Sequence, residues 1–164
     1  MQLLRDLIAN EALFIPLLAW ALAQLSKLAV NLIVEHRLEL RRALSDGGMP
    51  SGHSATVTAL MIVVGWQCGL ASAPFALAAI FAAVVMRDAM GVRREAGMQA
   101  KTIKEMTQVI NDMLLQRDKH IRVEKLKELV GHTPLQVFFG MLLGATVAIV
   151  YCLAVGMEYG SPLN

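Results

Sequence analysis

The chain has 164 residues, 56% of them hydrophobic, with a mean hydropathy of +0.54 and a formal net charge of +2. That is too apolar for an ordinary soluble domain, and the apolar residues fall in long blocks, which points to a membrane protein. No nucleic-acid partner is expected. Cys68 and Cys152 both lie in apolar stretches and read as small core residues; a disulfide between them stays open as the second reading. His36, His53, His120 and His132 are scattered without metal-ligand spacing, so no metal site is expected.

The first apolar run extends from about Ala12 to Val34. Ala21-Leu22-Ala23 resembles a cleavage site, but Arg5 is balanced by Asp6 and Glu11 and the run continues well past Ala23. It therefore reads as a span. Lys27 lies inside it. A lysine at such a depth either snorkels to the interface or faces a polar interior, and the sequence leaves both open. Residues 35–51 form a first polar loop. It contains Arg37, Arg41 and Arg42, starts with helical character and ends in Gly47-Gly48. Neither a P-loop nor a nucleophile elbow is present. For Arg37 and Arg41, contact with anionic headgroups is the simpler reading.

MPSGHSA, residues 49–55, opens the second span at about residues 52–70. Ser72-Ala73-Pro74 is a tight joint to the third, at about 73–92. Next, Ala96, Ala100, Ile103, Met106, Ile110, Met113 and Leu114 recur at helical spacing and predict an amphipathic helix outside the bilayer. A shorter one follows in VEKLKELVG, and for both the sequence favours helix packing over membrane-surface binding. GHTPLQV, residues 131–137, opens the fourth span at about 134–157, where Gly140 and Gly144 form a small-xxx-small pair. Packing within the chain is favoured for this pair, and size alone is compatible with a homodimer. The fold expected is thus all-α and polytopic. It is a single membrane domain of about four transmembrane helices with a helical insert at about 95–130. Lys and Arg crowd the 35–51 and 87–133 loops, whereas the opposite side has only Arg5, so the loops face the cytoplasm by the positive-inside rule.

Spans two and four run in the same direction. Ser51 and Thr133 are expected N-caps, and Pro134 suits the first helical position. Two helix N-termini, each next to a histidine, then converge on the basic side of the membrane. Free N–H groups and the positive dipole ends suit an anion there, with Arg93 and Arg94 opening onto the same side.

Pro50-Ser51-Gly52-His53 resembles the central signature of the type-2 phosphatidic acid phosphatase superfamily, which includes the vanadium-dependent haloperoxidases. GGMPSGHSA, DAMGVRR and LKELVGHTPLQV together resemble, in order, its divergent branch of compact bacterial and plastid membrane proteins. The resemblance implies a phosphatase acting on a lipid phosphate or diphosphate at the membrane interface, without metal or other cofactor. It implies His132 as nucleophile, His53 as general acid, and Ser51 and Gly52 as donors to the phosphate. The alternative is an inactive lipid-phosphate-binding or transport protein that keeps the anion site. Partners would be the lipid substrate and membrane lipids. The location would be a bacterial inner or plastid-like membrane, with the site facing the cytoplasm.

Three departures stand out. Gln136 occupies the position of the carboxylate that orients the nucleophile, leaving Asp88 as the obvious substitute. Position 126 is Leu where the branch's parent motif has Arg, and Arg93, Arg94, Lys125 or Lys127 must replace it, with Arg93 favoured. Lys27 matches the lysine of the first motif, but position 34 is Val and no Arg-Pro follows, so Arg41 or Arg42 would take the missing role.

Overall fold

The computed structural model describes residues 1–35, 48–114 and 131–160. Six helices account for nearly all of them: α1 (Gln2–Ala9), α2 (Glu11–Glu35), α3 (Gly52–Cys68), α4 (Ala73–Met90), α5 (Val92–Leu114) and α6 (Pro134–Val155). The protein is an all-α polytopic membrane protein. Three helical stretches, Glu11–Ile33, Ala73–Met113 and Pro134–Val155, are long and apolar enough to cross a bilayer. The helix expected from the sequence to be a fourth span, α3, has 17 residues. At about 1.5 Å per residue it rises about 25 Å, short of a hydrocarbon layer of about 30 Å. It packs against α2, α4 and α6 and so sits at the centre of the described helices.

Local sequence explains the boundaries. Asn10 closes α1 and then opens α2, its side-chain Oδ1 accepting from the Leu13 N–H at 3.2 Å. Pro16 falls in the second turn of α2, and Ala23 is fully buried within the same helix, so the Ala21–Ala23 stretch belongs to the core. Ser51 caps α3 by accepting from the Ser54 N–H, and Gly69, at positive φ, ends it. Ser72 caps α4 just ahead of Pro74. Thr133 and Gln136 form a capping box at the start of α6, and Gly156 closes that helix in the left-handed region. The short helix α1 has no counterpart in the sequence reading, which treated its residues only as a flank.

The core is a seam of small residues. On α2, Ile15, Ala19, Ala23 and Lys27 are buried at every fourth position. On α3 the row is Ser51, Ala55, Ala59 and Val63; on α6 it is Gly140, Gly144, Ala148 and Cys152. A Cβ on Gly140 would run into the Ser51 carbonyl, and one on Gly144 into the Ala55 carbonyl. The backbones of α3 and α6 therefore touch, and the register (51 with 140, 55 with 144) makes the two helices parallel. The pair is used within the chain, as the sequence favoured.

The far end of the bundle is tied separately. Trp66 Nε1 donates to the Met157 carbonyl at 2.8 Å, the Gly160 N–H to the Trp66 carbonyl at 2.8 Å, and Gln67 Nε2 to Glu11 at 3.0 Å. Cys68 is exposed, Cys152 is buried, and both are free thiols, which removes the disulfide reading.

Candidate functional site

Close parallel packing of α3 and α6 brings their N-termini together. His53 sits in the first turn of α3 and His132 immediately before α6; their ring centroids are 5.8 Å apart with planes at 61°. His132 is buried and His53 half-buried. The Ser51 N–H donates to the Gln136 carbonyl at 3.0 Å and stitches the two helix starts to each other. The Met49–Pro50 peptide leading into this turn is cis.

The elbow between α4 and α5 holds the other side of His132. The His132 N–H donates to the Ala89 carbonyl at 2.9 Å. Gly131, at φ +89°, lies so close to the Arg93–Arg94 backbone that a Cβ would overlap it. Any other residue at 131 would have to adopt a disfavoured φ and also push the elbow away. DAMGVRR and VGHTPLQV thus meet through backbone contacts, although some forty residues separate them in the chain.

Hydrogen-bond logic identifies which His132 nitrogen donates to Gln136. The Thr133 N–H can only donate, and it faces Gln136 Oε1 at 3.0 Å. The atom there is therefore the amide oxygen. His132 Nδ1 lies 3.3 Å from the same oxygen, so Nδ1 is the ring nitrogen that donates to Gln136. A neutral amide performs the orienting task that a carboxylate would otherwise perform. It accepts from the ring but adds no negative charge to stabilise an imidazolium.

Asp88 does not orient His132, contrary to the expectation from sequence. Its carboxylate accepts from Arg93 Nε at 2.6 Å, and Gln136 faces the imidazole Nδ1. Arg93, the favoured replacement for the missing arginine, is at the elbow beside His132 but is held by Asp88. Arg94 presents its backbone to Gly131, and its side chain is exposed. Ser51 is fully buried, its backbone N–H is committed to Gln136, and its Oγ accepts from the Ser54 N–H at 3.3 Å and from Ser54 Oγ at 3.0 Å. The donation expected of Ser51 is thus unavailable from its backbone, because that N–H joins α3 to α6. Gly52 is buried at the first position of α3, where a Cβ would crowd the Trp20 ring. Lys27 is 4% exposed, and its Cδ lies 3.8 Å from where a Cβ on Gly48 would be, so it faces the interior at the turn before α3. Arg41, Arg42, Lys125 and Lys127, and with them the VEKLKELVG helix, lie outside the described residues.

Sequence reasoning missed four contributors. Ser54 stood inside the quoted motif, and its position three residues after an N-cap serine was a usable signal. The Ala89 carbonyl, Trp20 and Gln24 had none: the first is backbone, and the other two are ordinary residues of an apolar helix until α3 packs against them.

These features define a helical membrane protein with two histidines at parallel helix starts. The chain matches the family model described as "Divergent PAP2 family" over residues 8–147. It is also 41% identical over 151 residues to the "Uncharacterized membrane protein YuiD" of Bacillus subtilis (strain 168), a match covering 88% of this chain and 96% of that protein. The chain belongs to the divergent PAP2 family. No solved structure matches it.

Proposed function

We propose that the protein is a metal-independent histidine phosphatase that cleaves a lipid phosphate or diphosphate at the membrane interface. The observation that carries this reading is the His53–His132 pair, with ring centroids 5.8 Å apart at two parallel helix N-termini and Gln136 Oε1 3.3 Å from His132 Nδ1. His132 Nε2 attacks phosphorus, forming an N–P bond as the P–O bond to the lipid breaks. His53, protonated, gives its proton to the departing oxygen. Water then attacks the phosphohistidine while His53 takes a proton from it; the N–P bond breaks and phosphate leaves. In this reading the helix ends, Gly52 and Lys27, with Arg93 and Arg94 from the elbow, offset charge on the phosphate oxygens. Arg41, Arg42 and Lys127 are proposed to join them from the two loops. The site opens to the cytoplasmic headgroup layer on the charge asymmetry of the loops.

The test is phosphate release from a panel of lipid phosphates by purified protein in detergent with EDTA, beside His132→Ala and His53→Ala. Each substitution is expected to lower release by at least about 100-fold, the usual worth of a positioned acid–base or nucleophilic group. Full activity in His132→Ala would end the proposal. Vanadate should inhibit as a phosphate mimic.

A second reading rests on the neutral Gln136 and on the Asp88–Arg93 pair, which leaves Asp88 engaged elsewhere. In it the protein binds or carries a lipid phosphate without hydrolysing it. Gln136→Asp separates the two: hydrolysis gained from an inactive wild type favours a binding protein descended from an enzyme.

A further inference from the structure

The helical stretch Ala73–Met113 is 41 residues long and is broken only at Gly91. At about 1.5 Å per residue it measures about 60 Å, twice the hydrocarbon layer of about 30 Å. One half crosses the bilayer; the other must go elsewhere. Among the described helices α5 touches only α4, so it extends away from the bundle.

The two halves share one continuous apolar surface. On α4, Leu77, Ile80, Phe81 and Val84 are 53–71% exposed, as expected of a lipid-facing row. On α5, Val92, Ile103, Met106, Ile110 and Met113 recur at helical spacing and are 39–73% exposed. An open groove across the elbow, with Val84, Gly91, Val92 and Ala96 in its lining, joins the first row to the second. Arg87, Asp88 and Glu95 lie in the same groove, and α5 carries Arg93, Arg94, Lys101 and Lys104 together with Glu105 and Asp112. The apolar stripe therefore does not turn toward water at Gly91. It continues along α5, flanked by charged side chains of both signs.

We infer that α5 lies along the leaflet at the histidine end of the bundle, with the Val92–Met113 face sunk into the headgroup–acyl boundary. The occupant of this face is the bilayer itself. Lipid already covers the α4 row, and a bilayer covers the adjoining α5 row without a second interface. A protein partner on α5 would have to displace lipid from α4 to use the same groove. Acidic and basic side chains nearly balance along α5, so its seat on the leaflet rests on the apolar face rather than on charge. By its N-terminal end α5 is continuous with the backbone that holds Gly131 and His132, so its seat on the membrane fixes the height of the histidines above the acyl chains.

The test uses the full chain, with Cys68→Ser and the buried Cys152 left in place, in dilute vesicles of phosphatidylcholine and phosphatidylglycerol. Spin labels go on Ile103→Cys, Met106→Cys and Ile110→Cys, and on Glu105→Cys and Gln108→Cys from the opposite face; all five sites are exposed, so the fold does not depend on them. The expected result is a severalfold higher ratio of oxygen to nickel-chelate accessibility at 103, 106 and 110 than at 105 and 108. Equal access of the nickel chelate to all five would overturn the inference. So would protection of 103, 106 and 110 accompanied by spin–spin broadening that vanishes on dilution with unlabelled protein, because the occupant would then be a second copy of the chain.

Discussion

Along α6, Gly140, Gly144, Ala148 and Cys152 repeat every fourth residue and are all buried. Along α4, Leu77, Ile80, Phe81 and Val84 repeat at similar spacing and stay exposed. Both helices are apolar enough to enter a bilayer, yet only the first row is packed against protein, and the row that α4 does bury is again of small residues, Ala78, Ala82 and Ala89. The difference is size. In lipid, burying a leucine against another helix gains little, because the acyl chains are as apolar as the partner. Close backbone approach gains dispersion contacts, and only small residues permit it. Hydropathy therefore selects the helices that span, and the placement of glycine and alanine selects the faces that meet. The histidine pair is a consequence of the tight face. The amphipathic arm is an extension of the loose one.

The sharpest way to break the contrast is a large side chain at the tight face. Gly144→Leu places new atoms in the Ala55 backbone and is expected to destabilise by about 3 kcal/mol or more, with loss of folded monodisperse protein in detergent. Its partner experiment, Ala76→Leu on the exposed surface of α4, should change stability by less than about 0.5 kcal/mol. Equal tolerance at both sites would remove the size argument. At the far end, Gln67→Leu takes the amide from Glu11 and should cost about 2 kcal/mol in thermal unfolding without moving the histidines. Thr133→Ala removes the α6 cap next to His132, with an expected loss of about 1 kcal/mol. Smallest of all, Lys101→Ala on α5 deletes an exposed pair with Glu105 at 3.8 Å and should change stability by less than about 0.5 kcal/mol. A larger effect there would mean that the arm is packed more firmly than its exposure indicates.

Much of the architecture was legible beforehand because it is written in local pattern. Apolar runs gave the helices to within a few residues. Ser51, Thr133, Pro134 and the Gly140–Gly144 pair gave their starts and their packing face. The family resemblance drew attention to His53 and His132, and equal helix direction put both at one end. Asp88 failed as the orienting group because side-chain direction around an elbow cannot be read from spacing. Arg93, five residues on, was close enough to take its carboxylate. Gln136 looked like a defect in a motif; in space its one amide oxygen accepts from Thr133 and faces His132 Nδ1 as well.

By itself, then, the sequence determined that the chain enters a membrane, which segments become helices, where most of them start and that the two histidines share one end. These follow from hydropathy, caps and helix direction, all properties of neighbours along the chain. Only the tertiary structure decided which atoms meet: the Ser51 N–H with the Gln136 carbonyl, the His132 N–H with the Ala89 carbonyl, Gly131 with the Arg94 backbone. Those contacts are made largely by backbone groups, which every residue carries alike. No residue type marks them until the helices have packed closely enough to bring them together.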